Sequence, residues 1–179
     1  AIHDYNQELE DRLLFDFAGL EAEFLRQLRA RSLDTFLRDI KFILIDEYQD
    51  TNLLQEQIYF EIAEAAIANG GSITVVGDDD QSLYRFRGAT VDLFRDFPRR
   101  ILNQKGILTQ VTYLTRNYRS TSNIVSFCNN FILLDNIFQE ARVRDKPRIA
   151  PFRPGDFTNY PVLGIFRDNI NILARDISS

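Results

Sequence analysis

Phe42-Ile43-Leu44-Ile45-Asp46-Glu47-Tyr48-Gln49-Asp50-Thr51 is the stretch on which the reading of this chain turns. A continuous apolar run that stops abruptly in carboxylates suits a parallel strand buried on both faces, which has no solvent side and needs no polar alternation. Its acidic end then falls at the carboxyl edge of a sheet. Asp50 or Thr51 can cap a following helix on which Leu54, Ile58, Ile62 and Ala65 share a face. Asn69-Gly70-Gly71 ends that helix with residues that tolerate left-handed backbone. Ile73-Thr74-Val75-Val76 predicts a second buried strand. Strand, helix and strand in this order form a crossover unit, the building block of a doubly wound α/β sheet.

Outward from this unit, Leu13, Phe17, Leu20, Phe24 and Leu28 recur at three- and four-residue steps and predict one amphipathic helix over 9–30 with a buried stripe. A shorter helix follows at Leu33 to Arg38. On the other side, Val111 to Leu114 predicts a third strand. Residues 120–134 predict a helix with Ile124, Phe127, Cys128, Phe131 and Ile132 at its apolar positions. Four prolines (Pro147, Pro151, Pro154, Pro161) and the lack of a period make 142–161 a loop or linker. Pro161 to Phe166 and Asn169 to Ile177 resemble a strand and a helix.

With 179 residues, 45% of them hydrophobic, the chain can bury one sizeable core, or one domain and part of another, and its composition fits a globular rather than a disordered protein. Its apolar runs are too short to span a bilayer and its N-terminus lacks the pattern of a signal peptide. The expectation is a cytoplasmic protein with no membrane partner. Cys128 has no second cysteine to pair with and is expected to pack within its helix, and the lone His3 offers no cluster for zinc. A net charge of −5 argues against holding nucleic acid by bulk electrostatics, but the charge is uneven. Arg85, Arg87, Arg95, Arg99, Arg100, Lys105, Arg116 and Arg119 face only Asp92 and Asp96 over 85–119, which leaves room for a local basic face. The absence of methionine suggests a piece of something longer.

Chemistry concentrates at the two strand ends. An acid at the tip of a buried strand can hold Mg²⁺ while its neighbour orients an attacking water, and Asp46 and Glu47 have that placement. An ordinary acidic turn has the same composition. After the second strand comes Gly77-Asp78-Asp79-Asp80-Gln81-Ser82-Leu83-Tyr84-Arg85-Phe86-Arg87-Gly88-Ala89. Adjacent carboxylates repel unless a cation or basic partner is near, and Gln81 adds a neutral donor for a phosphate oxygen. Rings alternating with guanidiniums at Tyr84 to Arg87 suit stacking on bases beside phosphate contacts, or core aromatics beside surface arginines.

Together with Tyr113-Leu114-Thr115-Arg116-Asn117-Tyr118-Arg119-Ser120-Thr121, these segments resemble the Walker B motif, motif III and motif IV of UvrD/Rep/PcrA-like superfamily 1A DNA helicases, in the family's order. Asp-Phe-Ala-Gly-Leu at 16–20 is similar to the segment the family carries ahead of Walker B. The resemblance implies a partial P-loop NTPase (RecA-like) fold, a parallel sheet flanked by helices. Residues 1–108 would be the later part of the first motor domain and 109–179 the beginning of the second. It implies ATP and Mg²⁺ as cofactors, with single-stranded DNA, duplex junctions and the remainder of the helicase chain as partners. Asp46 would hold Mg²⁺, Glu47 would be the catalytic base, and Gln81 would link the γ-phosphate to the DNA-binding segment. Tyr84 and Phe86 would stack on bases, with Arg87 supporting them. Tyr118 would stack on adenine, and Arg119 would be an arginine finger from the second motor domain.

No Gly-x-x-x-x-Gly-Lys-Ser/Thr loop is present, and none of Lys41, Lys105 and Lys146 follows a glycine. The parent is therefore expected to supply that loop, and the isolated chain to turn over little or no ATP. Two rival classes are a non-catalytic single-strand-binding module derived from a helicase and a metal-dependent phosphohydrolase using Asp46, Glu47 and Asp78 to Asp80.

Overall fold

β1, Phe42–Ile45, runs parallel to β2, Ser72–Val75, in the register Phe42 to Ser72 through Ile45 to Val75. This computed structural model describes residues 2–12, 14–81, 91–134, 139, 142–153, 160–164, 169, 170 and 174. The ladder continues past both strand ends: the Ser72 N–H donates to the Lys41 carbonyl at 2.8 Å, and the Val76 N–H to the Ile45 carbonyl at 2.8 Å. Only glycine fits at position 71, since a Cβ there would lie 1.5 Å from the Lys41 oxygen.

Helix α4, Leu53–Ala68, makes the crossover between the strands. Its start is set by a reciprocal capping box in which the Gln55 N–H donates to Asn52 Oδ1 at 2.9 Å and the Asn52 N–H to Gln55 Oε1 at 3.2 Å. The cap is thus Asn52 rather than the expected Asp50 or Thr51. At the other end Gly70 adopts φ 78°, and the Asn69 amide donates to the Leu37 and Ile40 carbonyls, both at 2.9 Å. That pair ties the helix end to the turn before β1.

Two apolar clusters flank α4. Ile45, Tyr48, Phe60, Phe97 and Ile101 form one, with α5 (Val91–Arg95) and α6 (Phe97–Lys105) closing it; Phe97 meets Tyr48 edge-on at 5.1 Å. Leu25 and Leu28 of α2 (Phe17–Arg29), Leu37 of α3 (Asp34–Leu37) and Ile58 form the other. A helix packed on more than one side must be apolar around most of its circumference, as α4 is.

A buried carboxylate on α4 faces this packing. Glu56 on α4 is 1% exposed, and the Arg100 guanidinium answers it, its Nε donating to both carboxylate oxygens at 2.9 and 3.0 Å and its Nη2 to Oε2. The Tyr48 hydroxyl adds a donor at 3.3 Å. Burial, then the charge of Glu56, pushes the Tyr48 hydroxyl well above its ordinary pKa, so it remains a donor.

The burial and the bounds of several expected elements need correction. β1 is buried on one face only: Phe42 and Leu44 are 67% and 77% exposed, and no described element covers them. β2, expected as a buried strand over 73–76, is Ser72–Val75 with Ser72 and Thr74 exposed and Ile73 and Val75 half-buried, and Val76 beyond it is exposed. The expected helix over 9–30 is two helices, α1 (Ile2–Asp11) and α2, separated where Asp16 caps α2 by accepting from the Gly19 N–H at 2.7 Å. With the helix broken there, Phe17 and Leu20 are 90% and 56% exposed; of the expected stripe Leu28 is buried and Phe24 partly so, and Leu25, which was not among the expected positions, is buried beside them.

The chain divides into two compact units, 1–111 with 141–143, and 112–140 with 144–179. In the second, β3 (Arg116–Asn117) pairs in parallel with β4 (Ala150–Pro151), so the expected strand at 111–114 is displaced toward the residues that find a partner. The Ala150 N–H donates to the Thr115 carbonyl and the Phe152 N–H to that of Asn117, both at 2.7 Å. Helix α7 is Ser122–Phe131, shorter than expected. It buries Val125, while Ile124, Phe127 and Phe131 are exposed and Cys128 is exposed rather than packed. Of the expected strand over 161–166, residues 161–164 form none and 165–166 lie outside the described residues, as does most of the expected helix over 169–177.

Removing one partner of a buried ion pair strands the other. Arg100→Met is expected to destabilise the chain by about 3 kcal/mol, and Glu56→Leu added to it should restore most of the loss. Urea unfolding checks both; a single-variant loss near zero would mean that the pair holds nothing.

Candidate functional site

The parallel register brings the tip of β1 beside the tip of β2. Asp46 follows β1 directly and is exposed; its Oδ1 accepts the Glu47 N–H at 2.9 Å. Glu47 adopts left-handed backbone, φ 52° and ψ 41°, a conformation that costs a residue with a Cβ on the order of 1–3 kcal/mol and persists only where its surroundings impose it. Two bonds impose it. The Tyr48 N–H donates to the Val76 carbonyl at 3.0 Å, and the Asp50 N–H to the Glu47 carbonyl at 2.9 Å. The turn sends Tyr48 and Gln49 into the interior and leaves the Glu47 side chain exposed.

Gln49 is 2% exposed and joins the two tips. Its Nε2 donates to Glu47 Oε2 at 2.6 Å, and its Oε1 accepts the Asp78 N–H at 3.0 Å. A Cβ at Gly77 would sit 2.6 Å from that Oε1, so the close approach requires glycine. Beyond it, the short turn Asp79–Gln81 places Gln81 at the surface, where its Nε2 donates to Asp78 Oδ2 at 2.7 Å. Asp46, Glu47 and Gln81 therefore lie on adjacent strand tips, linked through Gln49 and Asp78. Neither Gln49 nor Gly77 was singled out from sequence; a neutral amide between the acids of a strand-end turn is the signal that could have marked Gln49.

Asp78, Asp79 and Asp80 can bring carboxylate oxygens within 4.8 Å of one another. Their oxygens are engaged by protein groups. Arg142 donates to Asp80 through Nε at 2.5 Å and Nη2 at 2.8 Å, the Val143 N–H donates to Asp79 Oδ2 at 2.7 Å, and Asp78 receives Gln81. That donor set suits a structural clamp better than a hydrolytic metal centre. No pattern in the sequence announces Arg142.

Asp50 stands apart. Its Oδ1 is buried without a hydrogen-bond partner among the described residues. Burial, then the neighbouring charge of Glu47, raises its pKa.

In the second unit Asn117 closes a turn by accepting the Arg119 N–H at 3.0 Å and the Ser120 N–H at 2.7 Å. Tyr118 and Arg119 project from it and are exposed. The Tyr118 ring meets Phe152 edge-on at 5.2 Å, and the Arg116 guanidinium lies 5.0 Å from the same ring. Tyr84, Phe86 and Arg87 lie outside the described residues.

Residues 1–101 match the family model described as the UvrD/REP helicase N-terminal domain. The chain belongs to the UvrD/Rep helicase family. Among its relatives, the ATP-dependent DNA helicase UvrD1 of Mycobacterium tuberculosis is 37% identical over 134 residues, 72% of this chain and 17% of that protein. The ATP-dependent DNA helicase Rep of Salmonella typhimurium is 34% identical over 136 residues, 74% of this chain and 18% of that protein. A probable DNA helicase of Mycoplasma pneumoniae is 31% identical over 134 residues, 74% of this chain and 24% of that protein. This helicase-family chain thus spans between a sixth and a quarter of the length of these relatives. The match to the family model includes Asp46, Glu47 and Gln81 and stops short of Tyr118 and Arg119. No helix among the described residues is long and apolar enough to cross a membrane.

The raised Asp50 pKa has a definite sign. A carboxyl that binds its proton more tightly folded than unfolded is best tolerated below the ordinary carboxylate range, and stability is lost as pH rises through the folded-state value. Asp50→Asn is therefore expected to raise the urea midpoint at pH 7, with the gain shrinking as pH falls toward 4. An equal effect at both pH values would contradict this assignment.

Proposed function

We propose that this chain carries the hydrolytic and coupling residues of an ATP-dependent DNA helicase motor, with the phosphate-binding loop supplied by the remainder of the helicase chain. The observation that carries this reading is the linkage at the two strand tips: an exposed acid pair, Asp46 and Glu47, tied through Gln49 and Asp78 to Gln81. The helicase names of the relatives support it.

Residues 1–108 would be the later part of a first RecA-like domain and 109–179 the opening of a second. Asp46 fits Mg²⁺, being an exposed carboxylate whose Oδ2 has no hydrogen-bond partner among the described residues, beside the oxygen that accepts the Glu47 N–H, and hard oxygen donors suit that ion. Mg²⁺ held there would neutralise charge on the nucleotide's phosphate oxygens. Glu47, fixed in its turn, orients the attacking water and accepts its proton. Gln81 reads the γ-phosphate and passes its state to residues 82–90. There Tyr84 and Phe86 stack on single-stranded DNA, with Arg87 supporting the segment. Tyr118 packs on adenine. Arg119 stabilises charge on the transferring phosphoryl group as an arginine finger. Turnover drives movement on single-stranded DNA and unwinding at duplex junctions.

In the parent helicase, Glu47→Gln is expected to lower kcat for ATP by about 10²- to 10⁴-fold with nucleotide binding retained. Arg119→Ala should cost about 10³-fold or more. The isolated chain, without the loop, should show no ATP turnover stimulated by single-stranded DNA. Parental turnover in Glu47→Gln, or substantial turnover by the isolated chain abolished by that change, would overturn the assignment.

A further inference from the structure

We propose that Gln49 is a positioning residue for Glu47, holding the carboxylate in its working orientation and tying it to the turn that carries Gln81. The inference rests on the reading of Glu47 as the group that orients water. A glutamate on an exposed turn has three side-chain torsions and no reason to keep one arrangement. Here its Oε2 is held at 2.6 Å by an amide that is itself almost fully buried and cannot swing. The amide can face only one way. Its NH₂ meets a carboxylate and its carbonyl meets the Asp78 N–H, and flipping it would set oxygen against oxygen and N–H against N–H.

Gly77 provides an independent mark of the same constraint. A methyl group at this position would press on the Gln49 carbonyl at 2.6 Å and on the Phe94 ring at 2.9 Å, so the end of β2 has the shape that the bridge needs. From Asp78 the linkage continues to Gln81, whose side-chain amide rests on the Asp78 carboxylate at 2.7 Å. One buried amide thus sets the relative placement of two groups expected to act on the same phosphate.

The test uses the full-length parent helicase with two variants. Gln49→Met keeps the buried volume and removes both hydrogen bonds; Gly77→Ala keeps Gln49 and displaces its amide. Each is expected to lower kcat for ATP by about 10- to 100-fold, as a misplaced catalytic group does, while the KM and the equilibrium affinity for MgATP change less than about twofold. In a Glu47→Gln background each change should lower kcat by much less than it does in the parent, because one of the two groups being placed is already gone. Thermal melting reports folding, and Gly77→Ala carries the test if Gln49→Met does not fold. A folded Gln49→Met or Gly77→Ala enzyme with parental kcat, or one whose kcat and nucleotide affinity fall in proportion, would overturn the inference. If Glu47→Gln retains parental turnover, the reading of Glu47 fails instead, whatever Gln49 does.

Discussion

Parallel pairing of β1 with β2 in one register is the constraint on which the rest of the structure depends. A slip by one residue would carry Ile43 and Ile45 out of the core and Phe42 and Leu44 into it, since side chains alternate along a strand. It would also separate the Asp78 N–H from Gln49 and so detach the Glu47–Gln49 pair from the turn after β2. Three local features secure the register: the glycine at 71, which lets the strands start side by side, the Asn69 amide, which fixes the end of α4, and the Tyr48 N–H bond to Val76. Core packing then locks it through Tyr48, Phe60 and Phe97.

Strain and packing are distributed unevenly around the strand tips. Glu47 is held in left-handed backbone, and the nearby Asp50 keeps a buried oxygen without a hydrogen-bond partner among the described residues. Both are costs to stability, and both sit within a few residues of the acids expected to do chemistry. They are borne by a well-packed interior in which Tyr48 reaches Glu56 and Glu56 is neutralised by Arg100.

Much of the first unit was legible because its elements announce themselves locally. An apolar run ending in acids, a helix with a shared face and an Asn-Gly-Gly stop were enough to place β1, α4 and β2 and their crossover. The places of Asp46 and Glu47 at the end of β1 and of Gln81 in the turn beyond β2 were legible in the same way, while their roles came from the family resemblance. Periodicity misled where a cap competed with it: Leu13 to Leu28 keeps a helical spacing straight through Asp16, yet the Asp16 carboxylate takes the Gly19 N–H and starts a new helix. Arg142 was illegible for a different reason: it matters through Asp80, a partner 62 residues away that only folding brings close. Gln49 had a local signal beside Glu47, but its bond to Asp78, 29 residues on, exists only in the fold. The two-residue pairing of Arg116–Asn117 with Ala150–Pro151 is likewise too short to leave a period.

The most direct measurement is a structure of the full-length parent bound to ADP, aluminium fluoride and Mg²⁺, the fluoride standing in for the transferring phosphoryl group. The account predicts a water in line with the aluminium and within about 3.2 Å of the Glu47 carboxylate, with Glu47 still left-handed and still bonded to Gln49. A Glu47 side chain turned away from the nucleotide, or a β1 tip remote from the phosphates, would contradict it.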